Sequence, residues 1–179
     1  VRLEAQVSTP APTAPTAPRA PPPSPMGSKS LIDRMIRAAR LDPTLYEEVE
    51  RDETATTQAL LVVVISSLAS GIGSALSQAI AGQGATGIGF GLIVGLFSAL
   101  IVWFIWAFIT NLVGTTFLGG TAEFGELLRT LGFSNAPGVL QILSFIPVLG
   151  GILSFVVWIW GLVAMVVAVR QALDFSTGR

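Results

Sequence analysis

Glu123, Glu126 and Arg129 are the only charged side chains between Gln58 and Val169. Two carboxylates three residues apart are the one arrangement there that invites an acid–base reading. The chain offers them no help. It has no Cys and no His, which excludes disulfides, Cys/His metal sites, thiol nucleophiles and imidazole catalysis together. The spacing Glu123, Glu126, Arg129 spreads the three along one polar side of a helix. They read as solvated charges at a lipid–water boundary, with a Glu126–Arg129 pair worth a few tenths of a kcal/mol. The run Gly82-Gln83-Gly84-Ala85-Thr86-Gly87 could cradle a phosphate only if Lys-Ser/Thr followed, and none does. No catalytic, cofactor or metal site is expected. Net charge of −1 gives no field for nucleic acid.

The elements that would position these residues belong to a membrane protein. Apolar residues make up 51% of the chain and charged residues 12%, against roughly 25% charged in soluble proteins. A charge-poor run of that length reads as several bilayer crossings. The expected fold is an all-α integral membrane bundle of about four transmembrane helices, the third short or Pro-kinked, with a cytoplasmic amphipathic helix. The expected divisions are a disordered Pro/Ala/Thr-rich tail at 1–29, amphipathic and acidic helices at 30–56, a polytopic domain at 57–172 and a short tail at 173–179.

Leu31, Ile32, Met35, Ile36 and Ala39 form an apolar stripe over 30–40, with Arg34, Arg37 and Arg40 opposite. Two readings stay open: a helix lying on the membrane surface with its Arg side toward headgroups, or one packed against the ends of the bundle. Ser30 can cap it. Asp42-Pro43 opens an acidic second helix carrying Leu45, Tyr46 and Val49.

The spans are expected at about 57–81, 88–113, 134–149 and 152–169. Ser66, Ser70 and Ser74 recur every fourth residue in the first span, and Gly87, Gly91, Gly95 and Ala99 do so in the second. Both are expected helix-packing seams. Thr121 can cap a helix starting at Ala122. The uninterrupted part of the third span, 138–146, covers only about 14 Å as an α-helix. Two solutions exist: a half-helix inside the bundle whose freed backbone groups are covered by neighbours, or, the favoured one, a continuous helix from Ala122 kinked at Pro137, with a second interruption at Pro147, which supplies the missing length. With four crossings every Arg falls on one side, which is expected to place both termini in the cytoplasm.

Several of these elements resemble the Ypt-interacting-protein (Yip-one) domain family, particularly its bacterial members. They are the acidic Leu45-Tyr46-Glu47-Glu48 stretch, Gly119-Gly120-Thr121 before an amphipathic Phe124…Arg129 helix, Phe133-Ser134-Asn135-Ala136-Pro137, and Phe145-Ile146-Pro147-Val148-Leu149-Gly150-Gly151. The likeness covers about residues 30–175. It implies a helical integral membrane protein, of a bacterial plasma membrane by likeness to the bacterial members, and, from eukaryotic relatives alone, a small GTPase partner. The chain carries Asp42-Pro43-Thr44-Leu45-Tyr46 where those relatives have Asp-Leu-Tyr-Gly-Pro, and four expected spans where the family usually has five. The leading functional expectation is a non-enzymatic scaffold or accessory subunit whose partners are the lipid bilayer and other membrane proteins or itself. The alternative is a transporter or channel component with a polar path near Gln78, Asn135, Pro137 and Gln141.

Overall fold

A computed structural model describes residues 30–82, 88–117 and 119–173. The tails expected at 1–29 and 174–179, most of the Gly-rich turn at 83–87 and Gly87 of the second seam lie outside the described residues.

The described chain is helical throughout, without strands. Helix α1 (Leu31–Ala39) and helix α2 (Pro43–Arg51) form a hairpin before the long apolar helices α3 (Ala55–Ile80) and α4 (Ile88–Thr116). Helix α5 (Phe124–Ser134) then leads into a 3-10 helix, η1 (Ala136–Phe145), and α6 (Leu149–Ala172) closes the fold.

Local chemistry explains most boundaries. The Asp42 carboxylate accepts from the Thr44 N–H at 3.0 Å with Pro43 at the first helical position, so α2 starts as expected. Ser30 makes no side-chain cap on α1. Thr121 is not the cap of α5. The helix begins two residues later than expected, where Glu126 reaches back to accept from the Glu123 N–H at 2.7 Å.

The third limb departs most from expectation. It continues past Pro137 not as a kinked α-helix but as ten residues of 3-10 helix, far beyond the usual three or four. A proline in an α-helix interior removes a hydrogen bond and collides with the preceding turn. Here Pro137 sits in the first turn of η1, where its missing N–H is not needed. The carbonyls freed by the change of winding are met by side chains. Ser134 Oγ and Asn135 Nδ2 both donate to the Leu131 carbonyl at 2.8 Å, and Ser66 Oγ donates to the Asn135 carbonyl at 2.8 Å. Backbone groups in lipid have no water to fall back on, so this accounting must close. Pro147 lies in the turn between η1 and α6 rather than inside a helix, next to Val148 at φ 66°.

Three helices are long and apolar enough to cross a membrane: α3, α4 and α6. The fourth expected span is not a long α-helix; its place is taken by α5 running into η1. Together these cover about 16 Å of α-helix and about 20 Å of 3-10 helix, close to the length of α6. Pairwise contacts fix the order. Going up α3, Ala59 meets Gly132, Ser66 meets Gly138, and Gly73 meets Gln141 and Ser144, so α5–η1 runs parallel to α3. Gly150 abuts Ser144 while Ala168 joins Ala59 and Phe133 in one core cluster, so α6 returns antiparallel. Helix α4 also descends, from Leu92 against Gly71 to Gly114 against Leu173. One end of the bundle, the base, therefore gathers the start of α3, the ends of α4 and α6, the start of α5 and the α1–α2 hairpin. Every charged residue among those described lies in the elements that meet at or flank this base.

Candidate functional site

The charged residues of the base work as a clamp. Arg34 is 1% exposed. Its guanidinium donates to Glu48 Oε1 at 2.8 Å, Asp52 Oδ2 at 2.7 Å and Gln58 Oε1 at 2.9 Å, tying α1 to α2 and to the first turn of α3. Burial alone would push this guanidinium down, but the hydrogen bonds and charges of Asp52 and Glu48 outweigh it and hold it above its ordinary value. Arg37 bridges Asp42 at 3.0 Å and Glu48 at 2.6 Å. The Thr54 hydroxyl and Arg34 together hold the Asp52 carboxyl down at about 2. Tyr46, fully buried, is pushed up by desolvation and by the charge of Asp42.

Three further groups dock the hairpin onto the membrane helices. Arg129, buried in α5, donates to the Val49 carbonyl at 2.9 Å and to the Glu50 carbonyl. These are the last carbonyls of α2, which have no partner within the helix, so the cation caps a C-terminus that favours positive charge. This replaces the expected solvated pairing with Glu126. Trp160 Nε1 in α6 donates to the Ala39 carbonyl at the end of α1 at 2.8 Å, and Gln171 Nε2 donates to Glu47 at 2.9 Å. Among the described residues no group of three or more Asp or Glu side chains is arranged to hold a metal.

The arginines proposed to face headgroups are thus placed differently from one another. Arg34 points into the protein, Arg37 is half-buried in ion pairs and Arg40 is exposed. The inward turn of Arg34 leaves the apolar residues Ile32 (68% exposed) and Ile36 (46%) on the outside of α1, while Leu31 and Met35 pack on the core. Helix α1 therefore packs against the bundle with one side and presents the two isoleucines outward.

The small-residue seams also sort themselves. On α3 the buried stripe is Ala55, Ala59, Val62, Ser66, Ala69 and Gly73. Only Ser66 of the expected Ser66–Ser70–Ser74 face belongs to it; Ser70 and Ser74 are exposed. The reason lies in Gly73. A side chain there would meet the Gln141 carbonyl at 2.2 Å, so it is the glycine, not the serines, that admits η1. On α4, Gly91 and Gly95 face open space, and only Ala107 and Gly114 are buried. Ala99 lines a cavity.

That cavity, of about 430 Å³, lies about halfway along α3, where α4 stands away from η1 and α6. Ser66, Ser67 and Ser70 of α3 and Asn135 and Gln141 of the third limb form a polar wall. Trp103 and Trp106 of α4 and Trp158 of α6 form an aromatic one. Of the polar path anticipated from sequence, Asn135 and Gln141 border the cavity. Gln78 is elsewhere, exposed and bonded to Ser74, and Pro137 is buried in packing. Sequence reasoning missed Gln58, Trp160 and the three cavity tryptophans as a set. The one signal available was that these tryptophans lie too deep for an interfacial belt.

Apolar helices whose outer faces are uncovered, with the charges of the described residues gathered in the elements around one end, define a polytopic helical membrane protein. The Yip1 domain family matches residues 42–179, and the chain belongs to that family. No curated protein and no solved structure matches it. Helix α1, which supplies Arg34, precedes the matched span.

Proposed function

We propose that the chain is a non-enzymatic membrane scaffold or accessory subunit that gathers other membrane proteins, or further copies of itself, along α4. The observation carrying this reading is the use of the charged groups. Arg34, Arg37, Arg129, Asp42, Glu48 and Asp52 are all engaged in ion pairs or helix caps that fix the hairpin to the bundle. They build a rigid body rather than a reactive centre. The Gly91–Gly95 stretch of α4 has room for a close helix approach.

The base faces the cytoplasm in this proposal, because Arg34, Arg37, Arg40, Arg51, Arg129 and Arg170 all lie in its elements. The α5–η1 limb then serves as the third of four crossings, and Ile32 and Ile36 rest in the lipid interface. A GTPase partner rests on family likeness alone. A second reading, a transport component, is favoured by the cavity that Gln141 and Asn135 border; the absence of a charge in its lining counts against ion or proton coupling.

The chain has no cysteine, so single cysteines report cleanly. Gly91→Cys and Gly95→Cys are expected to cross-link to a neighbour in native membranes, and Gly91→Leu to lose partners recovered by detergent pull-down. Absence of cross-links at both positions, with unchanged recovery for Gly91→Leu, refutes the α4 docking face.

A further inference from the structure

We infer that the cavity between α3, α4, η1 and α6 binds an uncharged, hydroxyl-bearing lipid drawn sideways from the bilayer, of the diacylglycerol type. Its lining contains no charged side chain. An ionised guest would leave its charge uncompensated in a medium of low dielectric, which costs several kcal/mol. A pure hydrocarbon is also a poor fit, because it would cover the Ser70 hydroxyl and the Gln141 amide N–H groups without offering them a hydrogen bond. Gln141 accepts from Ser154 through Oε1 at 3.0 Å, which leaves its amide hydrogens to donate to a guest. A guest with one hydroxyl or ester end and an apolar body satisfies both walls.

The route of entry follows from the rim. Val102 (62% exposed) on α4 and Trp158 (59%) on α6 belong both to the lining and to the lipid-facing surface. The opening therefore lies between α4 and α6. Toward the base the cavity is closed by Trp103, whose Nε1 donates to the Leu128 carbonyl at 3.1 Å, and by Trp106, which reaches Met165 Sδ of α6 at 3.1 Å. The volume falls within the range of ligand sites, roughly 300–1,000 Å³. At about 30 Å³ for a water-sized group it holds on the order of fourteen heavy atoms. That is a glycerol ester head with the first part of a chain, the remainder lying in the bilayer.

Gly161 supplies the test. It lines the cavity in mid-helix, and a Cβ there would meet nothing within 4 Å. Gly161→Phe therefore starts its side chain without collision and adds a ring to the lining, and Gly151→Phe, at an exposed position of α6 outside the lining where a Cβ likewise meets nothing within 4 Å, is the matched control. The full chain would be placed in phosphatidylcholine nanodiscs with a trace of diazirine-labelled diacylglycerol, phosphatidic acid or alkane, irradiated, and mapped by mass spectrometry. Diacylglycerol is expected to label cavity-lining peptides of α3, α4 or α6, and Gly161→Phe to lower this about tenfold (about 1.4 kcal/mol) while Gly151→Phe leaves it unchanged. Equal labelling of those peptides by phosphatidic acid or alkane overturns the assigned class, and equal labelling of Gly161→Phe overturns the site. Should Gly161→Phe not fold, tryptophan quenching decides. Brominated diacylglycerol must quench the unmodified chain more than brominated phosphatidylcholine does, and equal quenching overturns the proposal. None of these outcomes depends on the α4 docking face, which is read by its own cross-links.

Discussion

Alanine at position 73 is expected to loosen the bundle, whereas alanine at position 91 tightens it. A Cβ on residue 73 would stand 2.2 Å from the Gln141 carbonyl oxygen, 2.6 Å from Ser144 Oγ and 3.0 Å from the Ile142 carbonyl oxygen. Ordinary contact begins at 3.4 Å, so η1 must retreat from α3 by about 1 Å in a close-packed interface. The serine hydroxyl can rotate away; the two carbonyls are backbone and cannot. Overpacking of this kind costs about 1–3 kcal/mol, and the backbone obstacle argues for the upper part of that range. The gain from replacing a helical glycine offsets about 0.5–1 kcal/mol of it. At Gly91 nothing lies within 4 Å, so only that gain remains. Melting of the detergent-solubilised full chain, followed by tryptophan emission, reads the difference. With about 2–4 °C per kcal/mol for a chain of this size, Gly73→Ala should melt several degrees below the parent, and Gly91→Ala at or above it. A Gly73→Ala protein melting at or above the parent would refute the close approach of α3 and η1.

Removing the buried cation with Arg34→Met leaves Glu48 and Asp52 without their shared partner and is expected to cost about 3 kcal/mol, seen as faster chymotryptic cleavage at the otherwise buried Tyr46. Arg129→Met uncaps α2 and should cost about 1–3 kcal/mol, measured as faster amide exchange over residues 45–51 with little change in α4. The Asp52 carboxyl titrates at about 2 in the folded chain against 3.8 in an unstructured one. The folded value is the lower, so its contribution is complete above the unfolded value and is lost as the pH falls from 3.8 toward about 2. Asp52→Asn should therefore flatten the acid limb of the melting curve over that window, and an unchanged limb would remove Asp52 from the clamp.

The membrane class was legible because it depends on composition, and the four limbs appeared in order because charge and glycine punctuate them. The Asp42-Pro43 start of α2 was legible for a similar reason: the cap and the capped N–H are two residues apart. What could not be read depended on partners distant in sequence. Arg34 looks like a headgroup ligand until Glu48, Asp52 and Gln58 are folded around it. Arg129 looks solvated until the end of α2 arrives from 79 residues away. Periodicity places Ser66, Ser70 and Ser74 together, yet it cannot say that Gly73 on the neighbouring face is where η1 lands. Pro137 announced an irregularity, but a kink and a change of winding share that signal.

The winding of the third limb works like the pitch of a screw. Ten residues at 2.0 Å each reach about 20 Å; the same residues wound as α-helix would reach about 15 Å. Each residue would also turn about 100° instead of about 120°, so Gln141, five residues beyond Ala136, would swing by about 100°. The height at which α6 begins and the direction in which Gln141 offers its amide are therefore set by one number, the coil of Ala136–Phe145. Any substitution that relaxes this thread shortens the limb and turns the amide off the polar wall in the same motion.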